Sequence, residues 1–200
     1  MGKLFLNALR GAIAALVCVI AAGASAQSAT PPAGLQWQWM HEFNFNTNNF
    51  PDTGTLEEKS LLAKIWEKEI NSTISTTNGS LMLSTALMGS VEYNGTKVIL
   101  TMFDSANSDC IQPGNGRSMH DMYGTCALRL IRFLPDGKSN VQDLPTQFCM
   151  LDVDSPNNPR SKNHNEYAFD QRTGIVYLRV IQYGKVVLAC NRALRIFKVQ

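Results

Sequence analysis

Short apolar runs that alternate with polar residues fill most of the chain, and turn signals separate them. Alternation with a period of two is typical of half-buried β-strands, and Asn94-Gly95 and Pro135-Asp136-Gly137 are turn sequences that each lie between two such runs. The predicted strands are residues 35–40, 80–93, 97–104, 127–134, 147–153, 167–170, 175–182, 186–189 and 192–199. This succession predicts a mainly β fold, either an antiparallel sandwich or a barrel-like sheet.

One segment follows a helical period instead. Thr55 can act as the N-cap and Glu58 can reach back to it, which is the pattern of a capping box. Apolar residues then recur at helical spacing and form one stripe, which consists of Leu61, Leu62, Ile65, Trp66 and Ile70. Asn71 is the expected C-terminal stop. The pattern therefore predicts one N-terminal amphipathic helix that packs on a face of the sheet.

Residues 1–26 have the features of a cleavable signal peptide. Two cations, Lys3 and Arg10, precede an apolar run over residues 11–23, and Ala24-Ser25-Ala26 supplies the small residues of a cleavage site. A membrane-spanning helix needs about 20 apolar residues, so a signal peptide is favoured over an anchor. We expect a periplasmic or secreted protein with no transmembrane segment after cleavage.

The remaining chain has the length of one domain. Residues 27–34 are rich in small residues and proline and predict a flexible leader, and residues 35–200 are predicted to form a single β-rich domain stapled by disulfides.

Four cysteines remain after the predicted leader is removed. An even number of cysteines in an exported chain predicts two disulfides, and Cys110–Cys126 with Cys149–Cys190 is the favoured pairing. Cys126 and Cys149 are nearly equally far from the Asp136-Gly137-Lys138 turn, so a straight hairpin would place them opposite each other and would favour that pair instead. The chain has no C-x-x-C motif, so a zinc site is disfavoured and no cofactor is indicated.

Charge argues against nucleic acid as a partner. The leader contains two of the 18 basic residues and none of the 16 acidic ones, so the rest of the chain is formally neutral, whereas phosphate binding needs a basic excess. The neutrality hides an asymmetry: residues 27–116 contain four basic and nine acidic side chains, and residues 117–200 contain twelve and seven. The two halves either attract each other or give the domain an acidic side and a basic side.

The polar loop from residue 104 to residue 123 is the leading candidate for a site, because long polar loops on a rigid sheet often carry function. The candidate binding residues are Asp104, Asp109, Arg117, His120 and Tyr123. His120 beside Asp121 could act as a general base with Ser118 as a nucleophile. Adjacent residues in a strand point to opposite faces, however, and Ser118 lies outside a G-x-S-x-G turn. Ligand or partner contact is therefore favoured over catalysis.

A second polar loop follows residue 151. Asp152 and Asp154 have the spacing of calcium ligands, but the glycine and glutamate that an EF-hand needs at its sixth and twelfth positions are Asn157 and Asn163 here. A surface turn is the favoured interpretation and calcium the weaker one.

Three tryptophans could form a platform for a carbohydrate: Trp37, Trp39 and Trp66. Aromatic residues on strand and helix faces more often belong to the core. We therefore expect all three in the core.

Taken together, these features favour an exported binding or interaction protein that acts through polar loops. Its partner would be a protein or an envelope component, and an inhibitor or immunity-type protein fits this description. A secreted hydrolase that uses the loop at 104–123 is one alternative. The other is a structural subunit of an envelope assembly, which strand addition could extend.

Overall fold

The chain folds mainly into antiparallel β-strands, as predicted. The computed structural model describes residues 27–28, 30–45, 52–76, 84–105, 108, 110–111, 123–151 and 162–197, so the predicted signal peptide lies outside the described residues. The strands are β1 (Gln27–Ser28), β2 (Gln38–Trp39), β3 (His41–Asn44), β4 (Thr85–Tyr93), β5 (Thr96–Asp104), β6 (Tyr123–Phe133), β7 (Ser139–Leu151), β8 (His164–Asp170), β9 (Ile175–Gln182), β10 (Lys185–Val186) and β11 (Arg192–Arg195). The helices are α1 (Leu56–Ile65) and α2 (Glu67–Thr76).

The strands form two sheets. Sheet A has the order β1-β11-β9-β8-β2, with β10 also paired to β9, and sheet B has the order β3-β4-β5-β6-β7. Only Met40 separates β2 from β3, so the chain passes from the edge of sheet A to the edge of sheet B within one residue. This crossing places residues 38–39 and residues 41–44 in different sheets.

The main hydrophobic core contains side chains from both sheets. Leu100, Leu128 and Phe148 of sheet B pack in one buried cluster with Val176 and Leu194 of sheet A. Burying a side chain of this size contributes about 1.5–3 kcal/mol. The alternation in β8 and β9 therefore fixes which residues face the core and which face away from it.

The hairpin between β4 and β5 follows its turn sequence. Asn94 and Gly95 have φ angles of 49° and 72°, the left-handed conformation that a two-residue hairpin turn requires at both positions. Asparagine and glycine adopt this conformation at the lowest cost, so the register of β4 against β5 is set locally.

The helical region contains two helices where the pattern predicted one. The capping box is present, since Glu58 N–H donates to Thr55 Oγ1 at 3.2 Å and Thr55 N–H donates to Glu58 Oε2 at 2.9 Å. The helix breaks at Trp66 and resumes as α2, so the expectation that it would stop at Asn71 is wrong. Thr73 is fully buried and its hydroxyl lies 3.0 Å from that of Ser105, so contact with sheet B extends the helix past Asn71.

Both helices lie on sheet B. Leu62 and Trp66 are buried with Phe43, Ile99 and Ile131 in a second cluster on the face of sheet B opposite to the main core. The two helices therefore cover the face of sheet B that points away from the main core.

Two disulfides staple the fold, Cys110–Cys126 and Cys149–Cys190. The alternative pair is excluded by the register of β6 against β7, which shifts at a β-bulge between Cys126 and Leu128. Beyond the bulge Cys149 lies opposite Thr125, and Cys126 lies opposite Phe148. Because neighbouring residues in a strand point to opposite faces, Cys126 and Cys149 point away from each other.

Candidate functional site

Most of the residues proposed from the polar loops lie outside the described residues: Asp109, Arg117, Ser118, His120, Asp121, Asp152 and Asp154. Of the remaining two, Asp104 ends β5 and its Oδ1 accepts a hydrogen bond from the Ser108 hydroxyl at 2.6 Å. Tyr123 begins β6 and is buried beside the Cys149–Cys190 disulfide. The loop site and the calcium site therefore stay predictions.

A different group of side chains, all aromatic or charged, lies on the outer face of sheet A. The alternation of β8 and β9 turns Tyr167 and Leu178 into the core and turns their sequence neighbours to the opposite face. Residues of β2 and the segment before it meet these neighbours at the sheet edge. We call this group the aromatic patch, and its members are Trp37, Trp39, His164, Glu166 and Arg179.

A buried carboxylate forms the centre of the aromatic patch. The side chain of Glu166 is 9% exposed, and its two oxygens accept hydrogen bonds from different partners. Arg179 Nε donates to Oε2 at 2.6 Å, and His164 Nε2 lies 2.9 Å from Oε1. Burying a charge is costly unless it is paired and hydrogen-bonded, and both conditions hold here. The three side chains are consequently locked in one arrangement.

Two tryptophan rings pack against the side chains that bind Glu166. The ring of Trp39 stacks on the His164 imidazole with 4.3 Å between centroids, and the ring of Trp37 lies 3.7 Å from the guanidinium carbon of Arg179. Trp39 nevertheless remains 51% exposed. The expectation of three core tryptophans is therefore wrong for Trp39, while Trp66 is buried beneath the helices. Trp39 is exposed because polar side chains, and not the apolar core, lie under its ring.

The strand that carries Trp39 is held from the core side. Gln38 lies opposite Tyr167 in the sheet, and the Tyr167 hydroxyl donates to Gln38 Oε1 at 2.7 Å and lies 3.1 Å from the Ser90 carbonyl oxygen. Burial raises the pKa of the Tyr167 phenol above its ordinary value. The short strand β2 is thus tied to both sheets.

An apolar row continues from the aromatic patch along the same face. His164 pairs with Ile181, and Ile181 pairs with Val186, so the three side chains are cross-strand neighbours on one face. Val186 is 39% exposed, and Tyr183 and Leu188 beside it are more exposed still. The aromatic patch and this row form one partly apolar surface at the hairpin end of sheet A.

A second polar cluster, centred on Arg129, joins the helices to sheet B. Arg129 donates to Asp143 at 2.6 Å, to Glu69 at 2.9 Å and to the Ile65 carbonyl oxygen at 2.7 Å, and its guanidinium lies over Trp66. This arrangement fastens both helices to sheet B. Among the residues that the structure describes, no three His, Cys, Asp or Glu side chains are grouped as metal ligands.

One cavity that the described residues line lies between the two sheets. This cavity, lined in part by Met102, Leu178 and the Cys149–Cys190 disulfide, has a volume of about 10 Å³, which is the size of a single water site. This cavity therefore has no room for a small ligand.

Comparisons with protein-family models, with curated proteins and with solved structures found no match to this chain. Neither described helix is long and apolar enough to cross a membrane. Function consequently has to be argued from the chemistry of the site.

Proposed function

We propose that this protein is an exported binding protein, periplasmic or secreted, that recognises a protein partner or an envelope component through the aromatic patch. The leader sequence supports export, and two disulfides are typical of an oxidising compartment. An inhibitor or immunity-type protein acts in this way. The sequence favoured recognition by polar loops, whereas the described geometry favours the outer face of sheet A.

The exposure of Trp39 carries the proposal. An indole that is half exposed, yet held by stacking on His164, loses little conformational freedom when a partner covers it. Tryptophan and arginine are also the residues most enriched at the energetic centres of interfaces. A merely structural tryptophan at this edge would gain more by turning its ring into the core.

A site-specific photo-crosslinker tests the proposal. The full chain, with its own leader, is expressed in its source cells with p-benzoylphenylalanine at position 186, in the apolar row. The control carries the same group at position 141, because Val141 is also exposed (57%) but lies on sheet B. We expect a discrete adduct from position 186 and none from position 141.

Trp39→Ala, introduced together with the crosslinker at position 186, then tests the aromatic patch itself. Loss of a central aromatic anchor should reduce the yield of the adduct about tenfold or more, while circular dichroism shows an unchanged fold. Equal adducts from both positions, or an adduct that Trp39→Ala leaves intact, would contradict the proposed function.

A further inference from the structure

Most of the basic excess of residues 117–200 lies in the strands of sheet A and their turns. Residues 162–197, which form β8 to β11 and their turns, contain six basic side chains and two acidic ones. Residues 52–105, which form the helices, β4 and β5, contain seven acidic and four basic side chains. The charge asymmetry of the sequence is therefore a difference between layers of the fold.

The ion pairs do not cancel this difference between the two halves. Of the ion pairs resolved between described residues, Arg129–Glu69 joins the acidic half to the basic half, and the other pairs lie within one half. Both acidic side chains of residues 162–197 are already engaged, Glu166 by Arg179 and His164, and Asp170 by Arg172. Sheet A therefore presents a net positive surface.

Two lysines place part of this charge at the end of the apolar row. The Lys162 carbonyl oxygen accepts a hydrogen bond from Gly184 N–H at 2.8 Å, which holds Lys162 beside the turn, and Lys185 directly follows that turn. Both residues are exposed, and within the described part of the chain neither forms an ion pair with a carboxylate. We call Lys162 and Lys185 the basic rim.

We propose that the partner of this protein is an acidic protein surface, with carboxylates that face the basic rim and an apolar centre that covers Trp39 and Val186. The inference rests on the proposed function and names the chemistry of its partner. An apolar, partly aromatic centre surrounded by charged residues is the usual anatomy of a protein–protein interface. Charge complementarity at such a rim chiefly raises the rate of association and excludes wrong partners.

The same observations disfavour an anionic polymer such as a nucleic acid. Binding to a phosphate backbone depends on many cations along one track, whereas two lysines at the end of an apolar row make a small rim. A phosphate-rich ligand would also leave Trp39 and Val186 without apolar contacts. The protein surface is therefore the occupant to which the geometry commits.

Charge reversal at the basic rim tests the inference. The crosslinker at position 186 is combined with Lys162→Glu and Lys185→Glu, and the control combines it with Lys64→Glu and Lys68→Glu, two exposed lysines of the helical layer. Because reversal adds repulsion to lost attraction, we expect the yield of the adduct to fall about tenfold or more at the rim and to stay unchanged in the control. Mass spectrometry of the adduct should identify an acidic protein.

Several outcomes would overturn the inference while leaving the proposed function intact. One is an adduct that Trp39→Ala abolishes but that the rim reversal does not affect. Another is an adduct with a polysaccharide or a lipid of the envelope in place of a protein. Absence of any adduct at position 186 would instead overturn the proposed function together with the inference.

Discussion

Glu166 is the residue on which the aromatic patch depends most. Its carboxylate holds Arg179 and His164, and these two side chains lie directly beneath Trp37 and Trp39. The Glu166 carboxylate therefore orients both tryptophan rings indirectly, because it fixes the two side chains against which they pack. A change at Glu166 should disturb both stability and recognition, even though the residue itself is almost fully buried.

We predict that Glu166→Gln lowers the free energy of unfolding by about 3 kcal/mol, because it removes one partner of a buried ion pair and leaves Arg179 uncompensated. Urea denaturation at pH 7 measures this loss. Asp143→Asn is the matched control, because it removes a carboxylate from Arg129 at a position where the acid is 58% exposed; there we expect a loss of under about 1 kcal/mol. Similar losses in the two variants would contradict the role assigned to Glu166.

Among the elements, α1 has the most clearly encoded start. Glu58 caps the helix through Thr55 and also bonds His41 Nδ1 at 2.9 Å. Burial raises the pKa of the Glu58 carboxyl, but the hydrogen bond from the Thr55 backbone and the bond and charge of His41 outweigh it, so the net pKa lies below the ordinary value of 4.5. The ionised form of Glu58 is thus favoured in the folded protein.

The stability that Glu58 contributes should depend on pH in a defined direction. A lowered pKa in the folded state means that the contribution is present above pH 4.5 and is lost as pH falls through the folded pKa. We predict that Glu58→Gln, which still caps but cannot ionise, costs about 1 kcal/mol at pH 7 and progressively less as the pH falls below 4.5. Urea denaturation across this range measures it, with Glu57→Gln as the control, and a cost that stays constant with pH would refute the prediction.

Local sequence signals predicted where helices and turns begin better than where the helix ends or how the strands pair. The cap at Thr55 and the turn at Asn94 are encoded within a few residues, so the sequence predicts them directly. The helix extends past Asn71 because Thr73 meets Ser105, a contact between segments that are distant in the sequence. The register of β6 against β7, which excludes the alternative cysteine pair, depends on the loop at residues 134–138 and on a bulge at residues 126–128 that has no comparable local signal.

The aromatic patch could be predicted only in part for the same reason. Alternation places His164 and Glu166 on one face of β8, and the alternation of the predicted strand 35–40 places Trp37 and Trp39 on one face. That these two faces coincide depends on the pairing of β2 with β8, which no local pattern encodes. The polar loops contain reactive residue types, which are visible in the sequence. The residues of the aromatic patch form a recognisable group only when the fold brings them together.

For the whole molecule, the two disulfides act on loops of different size. Cys110–Cys126 closes a separation of 16 residues, and Cys149–Cys190 closes one of 41 and joins sheet B to the segment before β11. A longer closed loop restricts the unfolded chain more. The second disulfide should therefore contribute more stability than the first.

We predict that replacing Cys149 and Cys190 by serine lowers the free energy of unfolding by about 4 kcal/mol, and that replacing Cys110 and Cys126 lowers it by about 3 kcal/mol. Urea denaturation of the two double variants beside the oxidised parent measures both losses. Stability that is unchanged in both variants would contradict the description of the domain as disulfide-stapled.

The pairing of β2 with β8 has a consequence for how the protein is made. Gln38 and Tyr167, which bond across these strands, are 129 positions apart, and β1 pairs with β11 near the other end of the chain. Pairings of such high contact order form slowly and only after the later segment is available. For a chain that we propose to be exported, the recognition surface does not exist during synthesis. Under that proposal the surface is completed only after export, and a product truncated before β8 would not bind the proposed partner.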